Sequence, residues 1–152
     1  MGLVELIPPE DATHRQIDFP TMYSDAKGMI WENIFQFPGA APESVVWGKY
    51  APRAEDVHRI GCDRETKTRE RNPGMRYAGF ISSTAGAVRA ISTSPGHGFS
   101  VVHAPAEGIH HAEISYNPGA DRRVDQLKRG EKNELKLALR KVFGDLVSRS
   151  PA

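Results

Sequence analysis

The sequence predicts an α+β domain, with a small antiparallel sheet packed by helices. Three observations predict it. Residues 98–116 alternate apolar and polar side chains on either side of Pro105-Ala106-Glu107-Gly108, which is the pattern of a hairpin. Val45-Val46-Trp47-Gly48-Lys49-Tyr50, bounded by prolines, has the β-branched and aromatic content of a strand over about 44–50. Apolar residues recur at helical spacing over about 24–37, 75–92 and 131–147.

Taken in order, Leu3 to Ile7 is a short apolar run stopped by Pro8-Pro9, either a strand or an ordered arm. The polar stretch that follows, to Pro20, reads as irregular, so 1–22 is expected to be an arm. Ser24-Asp25 supplies a helix N-cap and a first-turn acid. Ala26, Ile30, Asn33, Ile34 and Phe37 then keep helical spacing until Pro38-Gly39. Residues 54–71 form a charged, exposed helix whose narrow apolar edge is Val57 and Ile60. After the break at Asn72-Pro73-Gly74, the residues Tyr77, Phe80, Ile81, Thr84, Val88 and Ile91 match a 3.6-residue period, which predicts a helix over 75–92. Two strands turning at Ala85-Gly86 are the alternative. The clearest helix is 131–147, where Leu135, Leu139, Val142, Phe143 and Leu146 make one stripe opposite lysines and arginines.

At 152 residues the chain suits one domain spanning 1–152. Cys62 is the single cysteine, so no internal disulfide forms and a reducing compartment fits. No basic leader region and no apolar run near the roughly 20 residues of a bilayer span are present, so a cytoplasmic protein without membrane association is expected. The net charge of +1 is uneven: from Asp121 onward nine Lys and Arg face five Asp and Glu. That excess favours an anionic ligand or a solvated helix face.

Four of the six histidines lie between positions 97 and 111. Imidazole is the side chain whose unperturbed pKa lies near neutrality. With a four-residue loop at 105–108, His103 faces His110, Val101 faces Ala112 and Phe99 faces Ile114. Phe99, Val101, Ala112, Ile114 and Tyr116 then form a core face with the two histidines at its rim. His103 and His110 can be an acid–base pair, ligands of a divalent metal such as zinc, or structural residues bonded to backbone. His111 and Glu113, two apart, share the other face, where the carboxylate can orient the ring. His97, between glycines, can approach the far end of the hairpin. His58 and Cys62, one helical turn apart, are a half-site for a metal. Arg122, Arg123, Lys128 and Arg129 form the basic cluster suited to an anion.

These residues leave three classes of function open. The first is a small hydrolase or phosphoesterase using His103 and His110, with His111, Glu113 and His97 in support. The second is a non-catalytic module that binds a partner protein or a second copy through aromatic side chains such as Trp31, Phe35 and Trp47. The third is a nucleic-acid-binding module. It is weakened by the mixing of acids and bases between Arg53 and Arg76.

Overall fold

The computed structural model describes residues 3–24, 29–30, 34–35, 42–91, 98–117 and 129–149. Among them an open sheet of six antiparallel strands is joined by three α-helices, an α+β architecture. The strands are β1 (Ala12–Phe19), β4 (Glu43–Trp47), β5 (Arg76–Thr84), β6 (Gly98–His103), β7 (His111–Asn117) and β8 (Val147–Ser148), in the order β6-β7-β4-β1-β5-β8. A separate two-stranded sheet pairs β2 (Tyr23–Ser24) with β3 (Met29–Ile30). The helices are α1 (Ala54–Thr68), α2 (Ala85–Arg89) and α3 (Arg129–Lys141).

β1 runs through the interior of the large sheet, paired with β4 on one side and β5 on the other. This overturns the expectation of an irregular 1–22. Thr13, Arg15 and Ile17 are buried in alternation, but two of the three are polar, so hydropathy hides the strand period. Thr13 is satisfied by the Ser83 carbonyl at 3.2 Å and Arg15 by Glu43 at 3.0 Å, which is how polar residues come to fill core positions. Residues 3–7 do form an arm. Ile7 is buried, while Leu3, Val4 and Leu6 project into solvent.

The helix expected over 24–37 is also overturned where it can be checked. Tyr23 pairs with Ile30 and Ser24 with Met29, which excludes helical backbone there. An apolar face as broad as this segment's does not discriminate a helix from strands. Trp31 and Phe37 lie outside the described residues. The helix expected over 75–92 is a nine-residue strand followed by the single-turn α2, with Thr84 capping that turn by accepting the Ala87 N–H at 3.1 Å. The apolar residues of 75–84 are buried on both sheet faces, and two-sided burial imitates a helical period. α3 ends earlier than the expected 147. Gly144 donates its N–H to the Ser82 carbonyl at 3.0 Å, and the chain turns to lay β8 beside Gly79 and Phe80.

The hairpin of β6 and β7 forms with the expected faces but a different register. Val101 pairs with Ile114 and His103 with Ala112. Residues 104–110 form the loop, with a 3-10 turn at Pro105–Glu107 and Gly108 at φ +139°. The slip is two residues, an even number, so each side chain keeps its face. α2 guards the outer edge of β6: Arg89 donates to the carbonyls of Val101 at 2.9 Å and Ile7 at 2.7 Å.

The two sheet faces differ. Leu135 and Leu139 of α3, with Phe143 just beyond its end, pack with Ile17, Val45, Trp47, Val101 and Ile114 in the main core. On the opposite face Val57 and Ile60 of α1 meet Val46 and Phe80. Gly61 permits that approach, since a Cβ there would lie 2.4 Å from the Tyr77 ring. The hydrogen bond from Gln16 to the Val57 carbonyl, 3.1 Å, and those from Arg64 to Gln16 and Asp18 fix α1 over β1. No described helix is long and apolar enough to cross a membrane.

Candidate active site

On the α1 face, the sheet and the 104–110 loop enclose a cleft of about 540 Å³. Its floor is set by strand pairing. His14 of β1 pairs with Val46 of β4, which pairs with His111 of β7, so the three share one face in one row. Strands lie about 4.8 Å apart, which puts the His14 and His111 backbones roughly 10 Å apart across Val46. Ser44 is two residues along β4 from Val46, on the same face. α1 supplies Ile60, Asp63, Arg64 and Lys67 as one wall, and the loop supplies Glu107 and His110 as the other.

Each of the three imidazoles in the cleft has a distinct environment. His14 Nδ1 lies 2.6 Å from the Ser82 hydroxyl, and its ring stands edge-on to Phe80. Burial pushes its pKa down to about 4, so it is neutral at physiological pH. His110 is held below its ordinary value by burial and then by the neighbouring His111. His111 points Nε2 at Glu107 Oε2, 3.5 Å away, a contact that becomes an ion pair when the ring is protonated. Most of the cleft's cations are already committed. Arg64 holds both carboxylate oxygens of Asp18, at 2.8 and 2.5 Å, and Arg15 holds Glu43. Lys67 and Asp63 line the wall without an ion-pair partner among the described residues.

The His14 environment predicts a pH effect. The unfolded chain binds a proton near 6.5, whereas the native ring resists protonation until about 4. Stability therefore falls as pH drops through that window and levels off below it, by about 3 kcal/mol in total. Urea unfolding of His14→Gln between pH 7 and pH 4 should show a shallower decline than the parent. Equal slopes would mean another group carries the effect.

The residues expected from the sequence divide sharply. His103 is 3% exposed and faces the main core, on the opposite side of the sheet from His111. Its Nδ1 accepts the Glu5 N–H at 3.0 Å, so the proton sits on Nε2, which donates to the Ile109 carbonyl at 2.8 Å. Trp47 stands edge-on to the ring and Tyr50 stacks on it. Both ring nitrogens are bonded to backbone, which is the structural alternative among the three readings of His103. His110 and His111 do reach one cleft. Glu113 pairs with Ser44 but does not line the cleft; Glu107 is the carboxylate beside His111. The turn geometry at Pro105 and Gly108 that brings Glu107 back over His111 has no signature in residue spacing alone.

His58 binds the Tyr77 hydroxyl at 2.8 Å. It and Cys62 sit on α1, across the sheet from His103. Among the described residues no three His, Cys, Asp or Glu side chains are grouped to hold a metal ion. His97, Arg122, Arg123 and Lys128 lie outside the described residues, and Arg129 is exposed at the start of α3. His14 and Ser44 were not legible as site residues, because His14 lies in the polar strand β1 and nothing in sequence separates Ser44 from the other serines.

Fold and cleft together define an α+β protein with an open antiparallel sheet and a histidine-lined cleft on one face. No protein-family model, curated protein or solved structure matches this chain.

Proposed function

We propose that this protein is a small hydrolase that cleaves an ester bond by histidine acid–base catalysis in the cleft between α1 and the sheet. The reading is carried by one observation: His110 and His111 enter the same cleft beside Glu107. His111 takes the proton of the attacking oxygen, and Glu107 stabilises the imidazolium that results. The same ring then returns the proton to the leaving group. His110 stays neutral because burial and the charge on His111 both disfavour its protonation. A neutral imidazole is a hydrogen-bond donor suited to a developing oxyanion. Val46, Ile60 and Met22 give the cleft an apolar lining that strengthens these interactions. The lone thiol Cys62 suits the reducing cytoplasm as the place of action.

The test is turnover of p-nitrophenyl acetate, p-nitrophenyl phosphate and bis-p-nitrophenyl phosphate by purified protein. His111→Ala and His110→Ala should each lower kcat/KM by about 100-fold or more. His110 is half-buried, so His110→Ala should keep the melting temperature within about 2 °C, whereas His111, with 13% of its side chain exposed, should lose a few degrees on truncation while staying folded. No turnover by the parent, or full turnover by both variants, would sink the reading.

A further inference from the structure

We infer that Ser44 is the nucleophile of this site and that the substrate is a carboxylic ester; this rests on the hydrolase reading above. Three observations lead to it. Ser44 is the one hydroxyl- or thiol-bearing residue among the described residues that line the cleft. It is exposed; its carbonyl accepts from Arg15 at 2.9 Å, while its hydroxyl has no hydrogen-bond partner among the described residues. The register puts it within reach of the base. Ser44 pairs with Glu113 and Val46 with His111, so Ser44 and His111 are diagonal neighbours on one sheet face. Diagonal residues lie about 7 Å apart, a gap that an imidazole and a hydroxymethyl group together span.

His111 directs Nε2 to Glu107, which leaves Nδ1 as the proton acceptor. Serine, imidazole and carboxylate thus stand in the order in which a weak hydroxyl nucleophile is activated. Ser44 Oγ forms a bond to the ester carbonyl carbon as its proton passes to His111 Nδ1. The carbon–alkoxide bond breaks, and that proton goes to the departing oxygen, releasing the alcohol. Water then adds to the acyl carbon through the same relay, the Oγ–carbon bond breaks, the acid leaves and Ser44 recovers its proton.

Charge selects the ester class. Arg64 is bound to Asp18 and Arg15 to Glu43, while Lys67 shares the α1 wall with Asp63 and Glu107 lines the opposite wall. That balance does not favour a phosphomonoester dianion, and a neutral carboxylic ester meets no such conflict.

The experiment treats the intact protein with an alkyl fluorophosphonate and with p-nitrophenyl acetate, then locates adducts by peptide mass spectrometry. A single adduct on Ser44, absent from Ser44→Ala and from His111→Ala, is expected. Ser44→Ala should also lose at least 100-fold in p-nitrophenyl acetate turnover with an unchanged melting temperature. Glu107→Gln should keep the adduct but shift the pH profile of labelling, as a positioning residue does. Turnover that survives in Ser44→Ala, with no adduct at Ser44, overturns the nucleophile and leaves the histidine hydrolase standing with water as attacker. Absence of both turnover and adduct in the parent overturns both.

Discussion

Replacing His103 by alanine should destabilise the protein by about 3 kcal/mol, which lowers the melting temperature by roughly 6–12 °C. The size follows from what the ring holds. Two hydrogen bonds are lost, one to Glu5 and one to Ile109, each worth about 1 kcal/mol and each leaving a backbone partner to be resatisfied. Contacts with Trp47 and Tyr50 go as well, and a cavity opens at a site only 3% exposed. The damage spreads to two places. Glu5, whose carboxylate is also held by Lys49 and Tyr50, pins the N-terminal arm together with Ile7. Ile109 precedes His110, so the cleft wall loosens too. Thermal unfolding checks the magnitude, and amide exchange at Glu5 checks the cause. A variant that melts like the parent but loses all activity would place His103 in the chemistry.

His103 also marks how far the sequence reaches. Its face was legible, because alternation in Gly98–His103 and His111–Asn117 puts Phe99, Val101, Ala112 and Ile114 inward whichever even register forms. Its partner was not. Register depends on how residues 104–110 turn, and a 3-10 turn at Pro105 lengthens the loop that a four-residue reading assumes. The strand at Val45 was legible from its β-branched and aromatic content, α1 from charges spaced three and four apart around a narrow apolar edge, and α3 from apolar residues that keep one period. β1 was hidden because Thr13 and Arg15 occupy core positions with their polarity satisfied by partners 19 or more residues away. Residues 75–89 were misread because burial on both faces erases alternation. The site shared these failures. His110 and His111 were found from composition, but His14, Glu107 and Ser44 join them only through pairings between distant segments.

Arg15→Met should cost about 3–5 kcal/mol, the largest single loss expected here. The Arg15 guanidinium is a buried cation between β1 and β4. It meets Glu43 at 3.0 Å, the Ser44 carbonyl at 2.9 Å and the Ile34 carbonyl at 3.0 Å, and it lies over the Phe35 ring. Its Nε is buried without a hydrogen-bond partner among the described residues, so the group is already held at some cost. The pair itself contributes little net stability, since burying two charges offsets their attraction. Removing only the cation is a different matter, because the Glu43 carboxylate, with 9% of its side chain exposed, then stays buried while losing the charge that faces it at 3.0 Å. Arg15→Met combined with Glu43→Gln should therefore recover roughly half of the loss, as expected for residues coupled in one network. Urea unfolding of the two singles and the double measures that coupling. Losses that simply add would show that Arg15 acts through packing against Phe35 and not through charge. The same guanidinium anchors the backbone of Ser44, so in the Arg15 single variant ester turnover should fall more than the folded fraction does.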